Sequence, residues 1–413
     1  MPPEMRRRRV PSARRRALAV GLVALLALSG CASEPPVAVS SSTVRVGLLH
    51  SLTGTTAISE TALVNAEKMA IEEINAAGGV TIDGREKKID PIVMDSGSDP
   101  VRFAKKTKEL VKWNHVPVVF GGWTSSSRKA VLPTLAEHEA LLFFPAPYEG
   151  LESSPNVVYT GATANQQVVP ALDYLKAQGS RRIFLVGSDD LFPRTANKEI
   201  KSYAAANGLT IVGEQYRPLG STDFASIVAT MKAAQPHAVV NTLTGDSNAA
   251  FFAALNRAKL TSSALPVMSL SVTEEEVHTI GPEVLAGHLV ARNYFQTTSG
   301  GRNSKFVQAY KAKYGEDKVT SDPMEAAYVG VHLWAKAVSK AGSTDVVDVR
   351  NALGGLSFDA PEGRVTVDGG TRHVARTARI GVISADGLID EIRNSGRPIT
   401  PDPYLTSYDW WKA

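Results

Sequence analysis

One pattern in this 413-residue chain matches an enzyme's nucleophile motif: Ser126-Ser127-Arg128-Lys129. In S-x-x-K the lysine sits one helical turn from the serine and helps to activate it, which is acyl-transfer chemistry. The companion S-D-N and K-T-G motifs are absent, so a serine acyl-enzyme at Ser126 stands on that tetrapeptide alone. No G-x-G-x-x-G follows a strand and no G-x-x-x-x-G-K-[ST] occurs, which removes the usual nucleotide-phosphate cradles. The eight histidines include no i, i+4 pair with a glutamate between them, against a zinc protease. Asp95-x-Gly97-x-Asp99 lacks the bidentate acid that a calcium loop needs, because Lys106 stands in its place. The expectation is a chain that is not an enzyme, with no metal and no cofactor.

A different pattern is more consistent. Polar residues follow each β-branched run: Gly121-Gly122-Trp123-Thr124-Ser125-Ser126-Ser127, Pro145-Ala146-Pro147-Tyr148-Glu149, Ser188-Asp189-Asp190-Leu191-Phe192, Thr244-Gly245-Asp246 and Ser271-Val272-Thr273-Glu274-Glu275-Glu276. In parallel α/β sheets ligands bind beyond the carboxyl ends of the strands, where these loops must lie. They offer hydroxyls, carboxylates and a few aromatic walls, but no cationic cluster. Such a site suits a small neutral or cationic solute rich in N–H donors better than a phosphate or sulfate. Each loop has a plainer reading too, since Thr124 or Ser125, Asp246 and Thr273 precede helical stretches and could simply cap them.

The elements that must position these loops alternate. Strand-like runs at 44–49, 116–120, 141–144, 183–186, 209–212, 238–243 and 266–270 are separated by amphipathic helical stretches at 63–77, 100–112, 129–138, 194–207, 223–234 and 248–258. Continuous apolar strands alternating with helices predict parallel sheet covered on both faces. There are too many βα units for one sheet of usual size, so the fold class is α/β with two lobes. The tail reads differently, as an antiparallel meander over 364–367, 378–384 and 389–393.

Composition adds location. Residues 1–30 hold seven of the 45 basic residues and one of the 41 acidic ones, leaving 38 and 40, a net charge of −2. No nucleic-acid partner is expected from such a balance. The arginines precede twelve apolar residues, 17–28, which as a helix reach about 18 Å, short of a roughly 30 Å hydrocarbon core. That is the pattern of an export signal. It ends at Leu28-Ser29-Gly30-Cys31, which resembles the bacterial lipobox and implies acylation of Cys31, the chain's only cysteine. Residues 1–30 are then a lipoprotein signal peptide and 31–43 a flexible tether, with the rest exported and anchored to the outer face of the cell membrane. Arg15-Arg16-Ala17-Leu18 leaves both the general and the twin-arginine export routes open.

Seven segments occur together in one order: Val46 to Gly54, Phe120 to Lys129, Pro145 to Gly150, Pro193-Arg194-Thr195, Gly245 to Asn248, Glu274 to Glu276 and Asp322 to Ala326. In that order, from about 44 to 403, the chain resembles the urea- and short-chain-amide-binding branch of the branched-chain amino-acid type (type I) periplasmic binding proteins. The resemblance implies two doubly wound parallel-sheet lobes joined by three crossovers, with ligand in the cleft between them. Lobe 1 would comprise 44–159 and 295–358, lobe 2 160–294 and 359–413. It further implies a receptor that captures urea or a short amide and hands it to the permease subunits of an ABC transporter. Carried over by position, the ligand-binding residues are Trp123, Thr124, Ser125, Phe144, Ala146 and Tyr148 in one lobe and Asp190, Phe192, Asp246 and Glu274 in the other. This chain departs from the family's pattern at Asp190-Leu191-Phe192, where relatives carry Tyr-x-Tyr, which opens the site to a cationic amide. The alternatives are an amino-acid receptor of the branched-chain type, which needs a roomier pocket, and a ligand-sensing ectodomain.

Overall fold

The computed structural model describes residues 42–411; Cys31, the export signal and nearly all of the expected tether lie outside that range. The first of three β-sheets has the strand order Val80–Ile82, Arg85–Asp95, Thr43–His50, Val118–Gly121, Leu141–Phe144, Val157–Tyr159, parallel except for its first pair. The second has the order Ile389–Asn394, Arg379–Ile383, Leu289–Arg292, Val267–Ser269, Ala238–Thr242, Arg182–Ser188, Thr210–Arg217. Its last five strands are parallel, and the two tail strands add to it antiparallel. Both faces are packed: Phe184 and Val186 enter one core, while the alternating Ile183 and Leu185 enter another. That is the α/β doubly wound architecture expected.

The tail is not one meander. Gly363–Val367 pairs with Ser357–Ala360 and Val374–Ala375 in a separate small sheet, and Ala360, Val365, Val367 and Val374 pack into the first sheet's core. The stretch 359–375, expected with the second lobe, therefore lies with the first. Six short or atypical strands escaped the sequence reading, among them Arg85–Asp95 and Leu289–Arg292. Arg85–Asp95 begins with four charged residues and contains Pro91, both signals against a strand. It is tolerated because its outer neighbour reaches only Arg85 to Lys87, so Pro91 lies on open edge. The four-residue strand Leu289–Arg292 is too short to show a period.

Two helices that start at the cleft begin earlier than their apolar spacing suggests. The stretch expected from 129 starts at Ser125, and the one expected from 194 starts at Leu191. Ser125 to Arg128 is a polar turn and Leu191 to Arg194 a short apolar one with proline, so neither shows the helical stripe; Phe192 and Pro193 face the space between the lobes. The most buried helix, Asp322–Ala341, opens with Pro323 in its first turn, ends at Gly342 in the left-handed conformation (φ +67), and buries Trp334. Among the described residues no helix is long and apolar enough to cross a membrane.

The chain passes between the two sheets three times, after Tyr159, after Arg292 and after Ala375, and a buried polar knot ties the passages together. Gln166 donates to the Val374 and Ile399 carbonyls (3.0 Å each). Asn293 donates to the Gln166 carbonyl (3.3 Å) and the Thr377 carbonyl (3.0 Å). Arg376, with 1% of its side chain exposed, pairs with Asp322 (3.0 Å), Glu325 (2.7 Å) and Glu362 (2.7 Å). Burial, together with the charge of Glu362, pushes the Glu325 carboxyl up to about 8. Removing one partner of such a cluster leaves the others buried and uncompensated. We expect Arg376→Met to lower the free energy of urea unfolding by roughly 3–5 kcal/mol; an unchanged midpoint would show that the knot contributes nothing.

Candidate functional site

The carboxyl ends of both parallel sheets meet across a narrow cleft. Its walls are Trp123, Thr124, Ala146 and Pro147 from the first sheet's loops and Asp190, Phe192, Pro193, Thr244, Leu270, Ser271 and Arg292 from the second's. The enclosed space is about 30 Å³; a single water needs about 10–15 Å³ on the same measure. The lobes are closed on each other. Ser126 Oγ donates to Asp190 across the cleft, Ser59 Oγ donates to Glu276 Oε1 (2.8 Å), and the Asp246 amide donates to the Thr55 carbonyl (3.2 Å).

Local sequence explains how the first wall is held. A Cβ at Gly121 would lie 1.9 Å from the Leu49 carbonyl oxygen, and Gly121 and Gly122 have φ of +138 and +87. Only glycine lets the strand end so close to its neighbour and still turn to present Trp123. Thr124 caps the next helix, accepting from the Ser127 amide (3.1 Å). Beneath, the fully buried Arg128 donates to Glu152 (2.9 Å), to Glu149 (3.3 Å) and to Ser125 Oγ (3.1 Å), with its guanidinium 4.2 Å from the Tyr148 ring centre. Ser125 Oγ in turn donates to Glu149 (2.5 Å). Tyr148 stacks on Tyr159 and is hydrogen-bonded to His373. Burial lowers the His373 pKa to about 3, so the ring is neutral; its Nδ1 proton goes to the Thr371 carbonyl (3.0 Å), and Nε2 takes the tyrosine's.

Of the ten residues expected to touch ligand, Trp123, Thr124, Ala146, Asp190 and Phe192 line the cleft. The other five do not. Ser125 and Tyr148 spend their hydroxyls on the Arg128 and His373 network, and Phe144 is buried beneath it. Asp246 is exposed outside the cleft. Glu274 is buried and accepts from the Gln296 amide (2.8 Å); burial, with Glu275 beside it, raises its pKa well above the usual range. The serine motif is divided: Ser126 turns to Asp190 while Lys129 pairs with Glu152 (3.3 Å), an arrangement that activates nothing.

Arg292 is the residue the sequence reading missed. It ends the short strand Leu289–Arg292, and the rule that ligands sit at strand ends would have found it had that strand been read. Its Nε donates to the Val272 carbonyl (3.3 Å) and its Nη2 to that of Ser271, while Nη1 lies 3.9 Å from Asp322. Nη1 has no hydrogen-bond acceptor among the described residues. The cleft thus holds one guanidinium and one carboxylate, both from the second lobe, in a lining that also includes Trp123 and Phe192.

Two lobes, three crossovers and a small polar cleft closed by contacts across it define a solute receptor that works by hinge motion. The sequence profile described as "Periplasmic binding protein domain" matches residues 44–409, and the chain belongs to that family, as a type I solute-binding protein of the ABC-transporter class. It is similar to Leu/Ile/Val-binding protein homolog 7 of Brucella abortus (25% identity; 81% of this chain, 87% of that one). A "limonene hydroxylase" of Geobacillus stearothermophilus is 34% identical over 128 residues, 31% of this chain, and this chain covers only 23% of that protein. Among solved structures, a solute-binding protein of an ABC transporter from Rhodopseudomonas palustris HaA2, in complex with p-hydroxybenzoic acid, superposes with a TM-score of 0.79 (24% identity; 88% and 99% of the two chains). Members of the family are extracytoplasmic transport receptors, not enzymes, and deliver small solutes to ABC permeases.

One buried cation shapes the cleft's edge. His50, fully buried at the end of its strand, lies 2.9 Å from Glu67 and 3.5 Å from Glu60, and Glu60 accepts from the Ser51 amide and the Thr56 hydroxyl. Burial alone would lower the His50 pKa, but Glu67 and Glu60 outweigh it and push it up to about 10. Because the folded value exceeds the unfolded one of 6.5, this contribution is complete below pH 6.5 and is lost as pH rises toward 10. We expect the difference in Tm between wild type and His50→Gln to shrink over that range. A difference independent of pH would mean that His50 is neutral in the fold.

Proposed function

We propose that this receptor captures urea or a short amide outside the membrane and passes it to an ABC importer, held nearby by acylation of Cys31. The observation that carries the ligand reading is the cleft's size together with its polarity: about 30 Å³, one free guanidinium nitrogen, one carboxylate and two aromatic sides. Urea is planar, with one carbonyl acceptor and four N–H donors. Arg292 Nη1 donates to the carbonyl oxygen. Asp190, whose Oδ1 is taken by Ser126, accepts an N–H at Oδ2. Trp123 and Phe192 lie against the plane and exclude water. A buried N–H left without an acceptor costs about 1–3 kcal/mol, which discriminates against near-isosteres. Ligand shifts the open–closed equilibrium through contacts made only when both walls meet.

A second reading is favoured by Arg292 and by the Leu/Ile/Val-binding relative: a small amino acid, its carboxylate on Arg292 and its ammonium on Asp190. Calorimetric titration with urea, acetamide, glycine, leucine and p-hydroxybenzoate separates the two. Saturable heat with urea or acetamide, weakened about tenfold or more by Trp123→Ala and by Asp190→Asn, is the expected result, each tenfold being roughly 1.4 kcal/mol. Binding of glycine but neither amide would establish the second reading. Binding of p-hydroxybenzoate alone would defeat both.

Anchoring is checked separately. The mature chain should carry the mass of a diacylglyceryl group at its N-terminus and sediment with membranes, and Cys31→Ser should abolish both.

A further inference from the structure

We propose that the far end of the first lobe, centred on Trp113, rests on the anionic surface of the membrane to which the chain is anchored. The helix Pro100–Lys108 continues through a wider turn, Glu109–Trp113. Three observations on it converge. Lys105, Lys108 and Lys112 follow one another at helical spacing on the solvent face and are exposed. None has a carboxylate within ion-pair distance among the described residues; Glu109 is engaged by Lys106 (2.7 Å). Directly after them Trp113 is 62% exposed, one of the two most exposed large apolar side chains in the described structure. An aromatic amphiphile beside unpaired lysines is the composition that headgroup layers select.

The third observation says which surface this is. The described chain begins at the same end: Thr43 and Arg45 line one groove with Val111, Asn114 and His115, immediately around Trp113. Counting from Cys31, twelve residues span at most about 40 Å when fully extended. An acyl group on Cys31 therefore attaches the chain at this end of the lobe, away from the strand ends where the cleft lies, and keeps it within reach of the bilayer. Of the acids around this groove, Asp90 faces Arg45 at 3.9 Å, Glu137 lies 3.7 Å from His138, Asp345 caps the helix Val346–Leu353 and Glu139 stands on the far rim; none is within ion-pair distance of the lysine stripe. A lysine near an anionic surface contributes about fivefold to binding, and the tether raises the effective concentration of even a weak contact. The surface contact rests on the anchoring reading for its setting, while its chemistry is that of the folded lobe.

The test is tryptophan quenching by brominated phospholipids, with the mature lipidated chain in vesicles of phosphatidylglycerol and phosphatidylcholine or of phosphatidylcholine alone. We expect quenching in the anionic vesicles that is lost in Trp113→Phe, falls several-fold in the Lys105→Gln/Lys108→Gln/Lys112→Gln variant, and weakens with added salt. No difference between wild type and Trp113→Phe, with the chain still sedimenting with vesicles, would overturn the contact and leave the anchor intact. Sedimentation of the wild-type chain that is lost in Trp113→Phe and in the triple lysine variant would instead show that the lipid anchor is absent and the surface contact is real. If Trp113→Ala impairs solute uptake in cells while quenching shows no insertion, the patch docks a protein subunit and the membrane contact is refuted.

Discussion

Buried charge at the crossovers is the constraint on which the rest depends. Two lobes that must move against each other cannot share one hydrophobic core, so what joins them is polar. Arg376 sits among Asp322, Glu325 and Glu362, with Gln166 and Asn293 bonding across all three passages. Such groups are costly to desolvate, and only a complete set of partners makes them tolerable. The geometry this imposes is specific: the strands of both sheets end facing one gap, and the helices that follow begin there.

What lines that gap follows from how the helices start. Their first turns carry hydroxyls and acids, because amide groups at a helix start need acceptors, and Thr124 and Thr273 supply them. The same turns are where a solute must be recognised, so capping and recognition compete for the same side chains. Capping takes Thr273, and a second layer of buried ion pairs takes Ser125, Glu149 and Glu152. Arg292 and Asp190 keep a valence for the cleft. The cleft is small, and its lining joins this guanidinium and this carboxylate with the Thr244 and Ser271 hydroxyls and two aromatic rings.

Closure and recognition are mechanically linked. Asp190 holds Ser126 of the other lobe with one oxygen and faces the cleft with the other. Glu276, whose pKa burial pushes up to about 8, takes the Ser59 hydroxyl across the same gap. The Ser51 to Thr56 loop, set by His50 and Glu60, offers its backbone to Asp246. Contacts of this kind exist only in the closed form, so they belong to the same equilibrium that the solute shifts.

The parallel α/β class, the two lobes and the strand ends that carry the cleft were legible in the sequence because hydrophobic period and strand-to-loop order are local properties. So were Trp123, Thr124, Ala146, Asp190 and Phe192, each directly beyond a strand that could be read. Residues 1–41, with the lipobox-like Leu28 to Cys31, speak only through sequence. Tertiary structure decided what no local pattern encodes: that Ser125 and Tyr148 give their hydroxyls to Arg128 and His373, that Glu274 turns away to the Gln296 amide, and that Arg292 enters the cleft from a four-residue strand. The tail's division between two sheets was settled the same way, since pairing partners for a strand are chosen by long-range packing. Side-chain identity names the candidates, but which hydrogen-bond valence stays free depends on the neighbours that folding brings close, from 22 residues away for Glu274 and Gln296 to 225 for Tyr148 and His373.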